Sequence, residues 1–257
     1  MKKIFLFLVL IGVTVGKSDI EPTILRGQDA PEGLAKWGAS IRSDYWQHIC
    51  GASILNERWL LTAAHCMNSY WLYLPTLSVV VGTNQLRSGG QRYNLQTYIL
   101  HEDYDPTTQE NDLCLLKTTT PIVYNDKVQP AVMPTQETPP GSNLMLTGWG
   151  EMGTDGDIPD NLQMLNFTSI GTQECDQKYK EFYGKRGTSF PITDKQLCVT
   201  AKKGTGGCKG DSGGPIVRDL SLVGVMSVDV VPCGYGVPEV STNVIKYIPW
   251  IKLYTGL

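Results

Sequence analysis

Surplus charge of either sign and long apolar runs are both scarce in this 257-residue chain. Its 22 lysines and arginines stand against 25 aspartates and glutamates, a net charge of -3. Binders of nucleic acid or of an anionic membrane surface usually carry a basic excess, so neither class fits. After the first stretch of the chain, no segment is long and apolar enough to span a bilayer. Internal repeats, charge runs and low-complexity tracts are missing too. With 41% hydrophobic and 18% charged residues, the composition is that of a globular protein rather than a disordered one. Histidine is rare, with only His48, His65 and His101, and no His-Glu-x-x-His zinc string occurs.

The apolar run that does exist lies at the start. Lys2 and Lys3 precede an apolar stretch over 4–13, and Thr14-Val15-Gly16 supplies small residues for cleavage. That is the layout of a secretory signal peptide over 1–16. A membrane span needs about 20 apolar residues, and Lys17, Ser18, Asp19 and Glu21 end the run too soon. A secreted, extracellular protein is the expectation. Seven cysteines, at 50, 66, 114, 175, 198, 208 and 233, agree with an oxidising compartment. Six can pair and one is left over. Cys114 sits in the apolar run Asp112-Leu113-Cys114-Leu115-Leu116, which makes it the odd thiol and a small buried hydrophobe.

The 27 glycines and 15 prolines punctuate many short strand-like segments, at 37–41, 52–55, 77–81, 113–117, 144–149, 162–170, 215–217 and 222–227. Close spacing of short strands predicts an all-β fold, a sandwich or a pair of barrels. A loose connector around 121–134 divides the chain near its middle. The one helix signal is terminal, with Pro249 in a first turn and Ile248, Ile251 and Tyr254 at helical spacing.

Three segments carry chemistry. Leu61-Thr62-Ala63-Ala64-His65-Cys66 places a histidine in a small-residue turn, and Asn111-Asp112 places an acid at the head of an apolar strand. Gly207-Cys208-Lys209-Gly210-Asp211-Ser212-Gly213-Gly214-Pro215 places a serine among glycines. A serine nucleophile needs a base to take its proton, and the base needs an acceptor that fixes its tautomer. Glycines let backbone N–H groups approach a developing oxyanion. Singly, each segment reads as an ordinary cap, turn or loop; together, in the order His, Asp, Ser, they read as one site. Gly210, Ser212 and Gly214 also satisfy the Gly-x-Ser-x-Gly string of α/β-hydrolases. There the histidine follows the serine, whereas all three histidines here precede it.

On these segments the chain resembles the chymotrypsin-like (trypsin-fold) serine proteases, insect-chymotrypsin-like in pattern, over 24–257. The resemblance implies two antiparallel six-stranded β-barrels with a C-terminal helix, the first over about 24–125 and the second over about 126–257. It implies Ser212 as nucleophile, His65 as base and acid, Asp112 as its orienter, and an oxyanion hole from the N–H groups of Gly210 and Ser212. It further implies disulfides Cys50–Cys66, Cys175–Cys198 and Cys208–Cys233. Residues 17–23 become a short propeptide, and a new terminus at Ile24 would pair with Asp211. Thr23 before Ile24, and Arg26 where glycine is common, depart from the family's activation pattern.

The substrate pocket departs as well. Family members that bind Lys or Arg carry an aspartate six residues before the serine, and here that position is Gly206. Ser227 would lie against the substrate backbone, and Asp229 and Glu239 fall at pocket positions that are often glycine. Burying two carboxylates without a cation is unfavourable, so at least one is expected to face solvent. Either the acids narrow the pocket or they replace the missing floor charge. A chymotrypsin- or elastase-like, broad preference is the expectation. Asn166-Phe167-Thr168 is an N-glycosylation acceptor on an outward strand position. Some relatives bind Ca²⁺ through acids after the catalytic histidine, but 58–101 contains no Asp or Glu, so no metal and no cofactor is expected. Expected partners are protein or peptide substrates and protein protease inhibitors, with the chain a monomer. The rival is a non-catalytic homologue acting as a binding or decoy module.

Overall fold

Short apolar runs between turn formers resolve into two closed sheets. A computed structural model describes residues 27–68, 74–152, 156–184, 191–228 and 233–257. The expected signal peptide and propeptide, Ile24 and Asp229 lie outside the described residues. The chain runs through β1 (Gln28–Asp29), β2 (Gly38–Arg42), β3 (His48–Ile54), β4 (Trp59–Thr62), the short helix α1 (His65–Asn68), β5 (Ser78–Val81), β6 (Gln91–Leu100) and β7 (Cys114–Thr118). Strands β2 to β7 close in the order β2-β3-β4-β7-β6-β5. After the connector come β8 (Asn143–Gly148), β9 (Gln163–Ile170), helix α2 (Thr172–Tyr183), β10 (Gln196–Thr200), β11 (Pro215–Arg218), β12 (Ser221–Val228) and β13 (Glu239–Asn243). These strands run β8-β9-β10-β13-β12-β11, and β11 returns to β8. Closure pairs both edges of each barrel strand. The fold is all-β, two six-stranded antiparallel barrels, and it ends in helix α3 (Ile248–Thr255).

Each barrel is filled from its inward strand positions. Leu165 and Phe167 of β9 join Leu146, Val199, Ile216 and Met226 in the second core, which leaves Asn166 and Thr168 exposed on the other face. Ile41, Ile54, Leu60, Leu61 and Leu115 fill the first. Each such side chain, fully buried, contributes about 1.5–3 kcal/mol. The two ends of the chain cross between barrels. β1 pairs with β9 of the second barrel, Gln28 opposite Met164 and Asp29 opposite Gln163. Ile251 of α3, with Val244 and Tyr247 before it, packs into the first barrel's apolar cluster.

The sequence reading named only the terminal helix, and α2 corrects it. Cys175, Tyr179 and Phe182 form its apolar stripe, four and three residues apart, with Cys175 and Tyr179 buried. The rest of α2 is mostly polar and charged, with Glu174–Lys178 at 2.8 Å and Asp176–Lys180 at 2.6 Å along its outer side. So narrow a stripe is held by the Cys175–Cys198 disulfide, which ties α2 to β10. Three disulfides join Cys50 to Cys66, Cys175 to Cys198 and Cys208 to Cys233. Cys114 is free and buried, and burial pushes its thiol well above the usual range, so it stays a protonated core group.

Candidate active site

Asp112 is fully buried just before β7, in a turn that Asn111 makes possible by adopting φ +56°. Asn111 is held there on three sides. Its Nδ2 donates to the Asp103 carbonyl at 2.8 Å, and its Oδ1 accepts from Tyr247 Oη at 3.0 Å and Lys195 Nζ at 3.2 Å. The Asp112 carboxylate accepts three hydrogen bonds. The His65 backbone N–H reaches Oδ1 at 2.8 Å, while His65 Nδ1 at 2.7 Å and Ser227 Oγ at 2.6 Å reach Oδ2. Thr242 Oγ donates to the Asp112 carbonyl at 3.0 Å, so the second barrel also grips this residue of the first. An ionised carboxylate only accepts, so Nδ1 carries the hydrogen and the neutral ring keeps its basic lone pair on Nε2. Cys50 and Cys66 sulfurs lie beside His65, but their disulfide leaves no thiolate to ligate a metal.

Ser212 is tied to the first barrel through a contact made by bare backbone. Gly51 of β3 donates its N–H to the Ser212 carbonyl at 2.8 Å. A methyl on Gly51 would lie 2.6 Å from the Gly214 Cα, and one on Gly213 would lie 2.2 Å from Thr62 Oγ1. Thr62 ends β4 three residues before His65, so the serine turn sits on the strands that deliver the histidine. Gly210 has φ +99°, a conformation open to glycine. The Glu151 N–H donates to the Lys209 carbonyl at 2.8 Å. In a planar trans peptide the N–H opposes the C=O, so that bond turns the Gly210 N–H away from Glu151.

The Trypsin family profile matches residues 24–251. The chain belongs to the trypsin family. "Chymotrypsin-2" of Vespa crabro is 35% identical over 89% of this chain and 98% of that protein. "Trypsin II-P29" of Gallus gallus is 32% identical over 98% of both. Among solved structures, neuropsin, a serine protease expressed in the limbic system of mouse brain, superposes with a TM-score of 0.79 at 27% identity, covering 89% of this chain and 98% of that one. The protein is accordingly a trypsin-family serine endopeptidase.

Two features of this trypsin-family site were not legible beforehand. The first surrounds Asp211, which is buried and accepts from the Gly150 N–H at Oδ1 and the Cys208 N–H at Oδ2, both at 2.9 Å. Methyls on Gly148 or Gly150 would each fall 2.2 Å from that carboxylate, so these glycines clear its space. Burial raises Asp211 to about 6, against the two backbone bonds that lower it. The second is His48, whose Nε2 lies 2.9 Å from the Gly210 carbonyl and whose Nδ1 lies 2.8 Å from Ser40 Oγ. Its only sequence signal was position, two residues before Cys50.

Glu239 does not face solvent. It is 6% exposed, and the Gly207 N–H donates to its Oε1 at 2.9 Å and its Oε2 at 3.0 Å. A methyl on Gly206 would sit 2.5 Å from Glu239 Oε1, so this carboxylate fills the room that glycine leaves. Ser227 is buried with its hydroxyl on Asp112, and Asn166 is exposed on β9. Lys209 is exposed, with its Nζ 3.4 Å from Glu151.

Proposed function

We propose that this endopeptidase is secreted and works through an acyl-enzyme on Ser212. The observation that carries the reading is the Asp112 carboxylate, whose bonds to His65 fix Nδ1 as a donor and leave Nε2 basic. Ser212 Oγ attacks the scissile carbonyl carbon as its proton passes to His65 Nε2. The oxyanion that forms is met by the N–H groups of Gly210 and Ser212. The C–N bond then breaks, His65 gives its proton to the leaving amine, and a water repeats the sequence to release the acid. Loss of one oxyanion donor in such sites lowers kcat by about 10²–10³.

Asp211 supports activation at Ile24. A buried carboxylate without a cation is unfavourable, and an arriving ammonium would restore its charge. At the pocket, Gly206 puts no charge where Lys- and Arg-binding relatives carry an aspartate, which supports entry of apolar side chains, and the Glu239 carboxylate beside it adds a partner for Lys or Arg, giving a broad preference. Exposure of Asn166 supports its glycosylation, and the chain acts as a monomer on protein or peptide substrates without metal or cofactor.

Protein engineered to begin at Ile24 tests the reading on a mixed peptide library, with Ser212→Ala as control. Cleavage by the parent and its loss in the folded variant are expected. A parent as inert as Ser212→Ala would overturn catalysis and leave a non-catalytic homologue.

A further inference from the structure

Arg42 is the largest fully buried side chain among the described residues, 1% exposed, and it ends β2 opposite His48 of β3. Its Nε donates to Ser40 Oγ at 3.0 Å. Ser40 Oγ lies 2.8 Å from His48 Nδ1, and His48 Nε2 lies 2.9 Å from the Gly210 carbonyl. The two ends of this chain set its direction. A guanidinium only donates and a carbonyl only accepts. His48 Nε2 therefore carries a hydrogen, and the neutral ring leaves Nδ1 bare to accept the Ser40 hydroxyl proton. Every bond runs the same way, from Arg42 through Ser40 and His48 to Gly210. Burial, with the neighbouring Arg42 charge, lowers His48 to about 4 against the raising effect of the Gly210 bond, so the ring is neutral at ordinary pH. The Trp149 ring meets His48 edge-on at 5.9 Å, and Trp46 covers Arg42 from the other side, 5.9 Å from its guanidinium carbon.

What the chain acts on is a glycine. Gly210, at φ +99°, has little conformational preference of its own. Both flanking peptides are pinned by other bonds. The Glu151 N–H fixes the Lys209 carbonyl at 2.8 Å, and the Asp211 N–H donates to the Cys208 carbonyl at 2.9 Å. His48 supplies the remaining bond, to the carbonyl between Gly210 and Asp211.

We propose that Arg42 is a positioning residue for the oxyanion segment, acting through Ser40 and His48 on the Gly210 carbonyl. The consequence for turnover rests on the function proposed above. The chain itself does not. Arg42 supplies the fixed end, because a buried guanidinium cannot turn to accept. Without Arg42 only the Gly210 carbonyl opposes the reversed chain, in which Ser40 accepts from Nδ1 and a bare Nε2 faces and repels that carbonyl.

Two readouts on protein beginning at Ile24 test this. Nitrogen NMR of the imidazole ring follows the chain without turnover. Arg42→Met should cost His48 its slowly exchanging Nε2 hydrogen, and Arg42→Lys should restore part of it. Kinetics follow the consequence. Arg42→Met and Ser40→Ala should lower kcat by roughly ten- to a hundred-fold, less than removal of an oxyanion donor, with KM within about twofold. A peptide aldehyde, bound as a tetrahedral adduct, should weaken by the same factor, while the His65 limb of the kcat/KM pH profile stays in place. An unchanged His48 signal in Arg42→Met overturns the chain, and Ser40→Ala decides the same point if Arg42→Met fails to fold. A lost signal with unchanged kcat and aldehyde affinity overturns the positioning role. A parent inert in every assay overturns the proposed function, and the ring signal still decides whether Arg42 directs His48.

Discussion

The two halves of the site are held by opposite means. On the first-barrel side, Asp112 is fixed by directed bonds from His65, Ser227 and Thr242, and Asn111 behind it by Asp103, Lys195 and Tyr247. On the second-barrel side, the serine turn is fixed by the absence of side chains, with Gly51, Gly148, Gly150 and Gly213 all at distances where a methyl would overlap a neighbour. One half is sensitive to loss of an acceptor and tolerant of small changes in volume. The other is sensitive to a single added carbon. Electrostatic orientation needs directed bonds, whereas close approach of two sheets needs empty space.

That contrast breaks first under Asp112→Asn against Gly213→Ala. The amide of Asp112→Asn keeps the volume and presents a donor where His65 Nδ1 needs an acceptor. Activity should fall by about 10⁴-fold with stability nearly unchanged, the loss that this substitution gives in Ser-His-Asp proteases generally. Gly213→Ala should act the other way round. Its methyl meets Thr62 Oγ1 and the Gly51 carbonyl, and its φ of +74° is strained for any other residue. A stability loss of about 3 kcal/mol or more is expected, with turnover lost only because the serine turn lifts off β3. Thermal unfolding beside kcat for both variants separates the two patterns, and equal behaviour would erase the distinction.

The same contrast explains what could be read beforehand. Ser212, His65 and Asp112 stand in short runs that read singly as an ordinary loop, turn and cap, and only their chain order His, Asp, Ser made them legible as one site. Eight of the twelve barrel strands showed through their apolar runs. β4 and β10, of four and five residues, were not named, and β6 and β13 did not show because their polar residues face solvent or are used for bonding. Thr242 and Asn243 of β13 are buried, yet they hydrogen-bond to Asp112 and Asp194 rather than fill a core. Helix α2 hid behind charged residues, with only Cys175, Tyr179 and Phe182 to mark it. Arg42 and Ser40 lie 168 or more positions from Gly210 along the chain, and only a three-dimensional register brings them to it. Glu239 was named in the sequence, but the direction of its carboxylate depends on Gly206 and Gly207 making room.

A subtler comparison sets His48 against Asp211, on either side of the Gly210 carbonyl. His48 falls to about 4 and Asp211 rises to about 6. Between about 4 and 6.5 the unfolded chain protonates His48 and the folded chain does not, so this group favours folding more as pH rises. Between about 4 and 6 the folded chain protonates Asp211 and the unfolded chain does not, so this group favours folding less as pH rises. Each amounts to about 3 kcal/mol across its window, at about 1.4 kcal/mol for each tenfold change in proton affinity. The two slopes oppose and nearly cancel in the uncut chain. Asp211→Asn should leave stability falling more steeply than the parent's as pH drops from 6 to 4, and His48→Gln should show the reverse difference. Urea midpoints across that range, read as variant minus parent, check both signs. Cutting at Ile24 should mimic Asp211→Asn, since an ammonium partner keeps the carboxylate ionised.

The smallest expected effect falls where the two means of fixation meet, at Glu239, a charged group lodged in a glycine-made space. Glu239→Gln keeps the size and still accepts from the Gly207 N–H, so it removes charge and little else. A cationic substrate side chain that pairs with this carboxylate loses a charge-assisted bond of about 1.5–3 kcal/mol. Cleavage after Lys and Arg should then drop by roughly ten- to a hundred-fold, while cleavage after Phe, Tyr and Leu keeps its rate. Paired peptides differing only in the residue before the scissile bond give that ratio directly. If the parent cuts after apolar residues alone and the variant matches it, Glu239 has a structural role, with Gly207 among its partners, and does not read substrate charge. If basic cleavage survives in the variant, the charge that admits it lies elsewhere in the pocket wall, and the Gly206 gap is merely filled by Glu239.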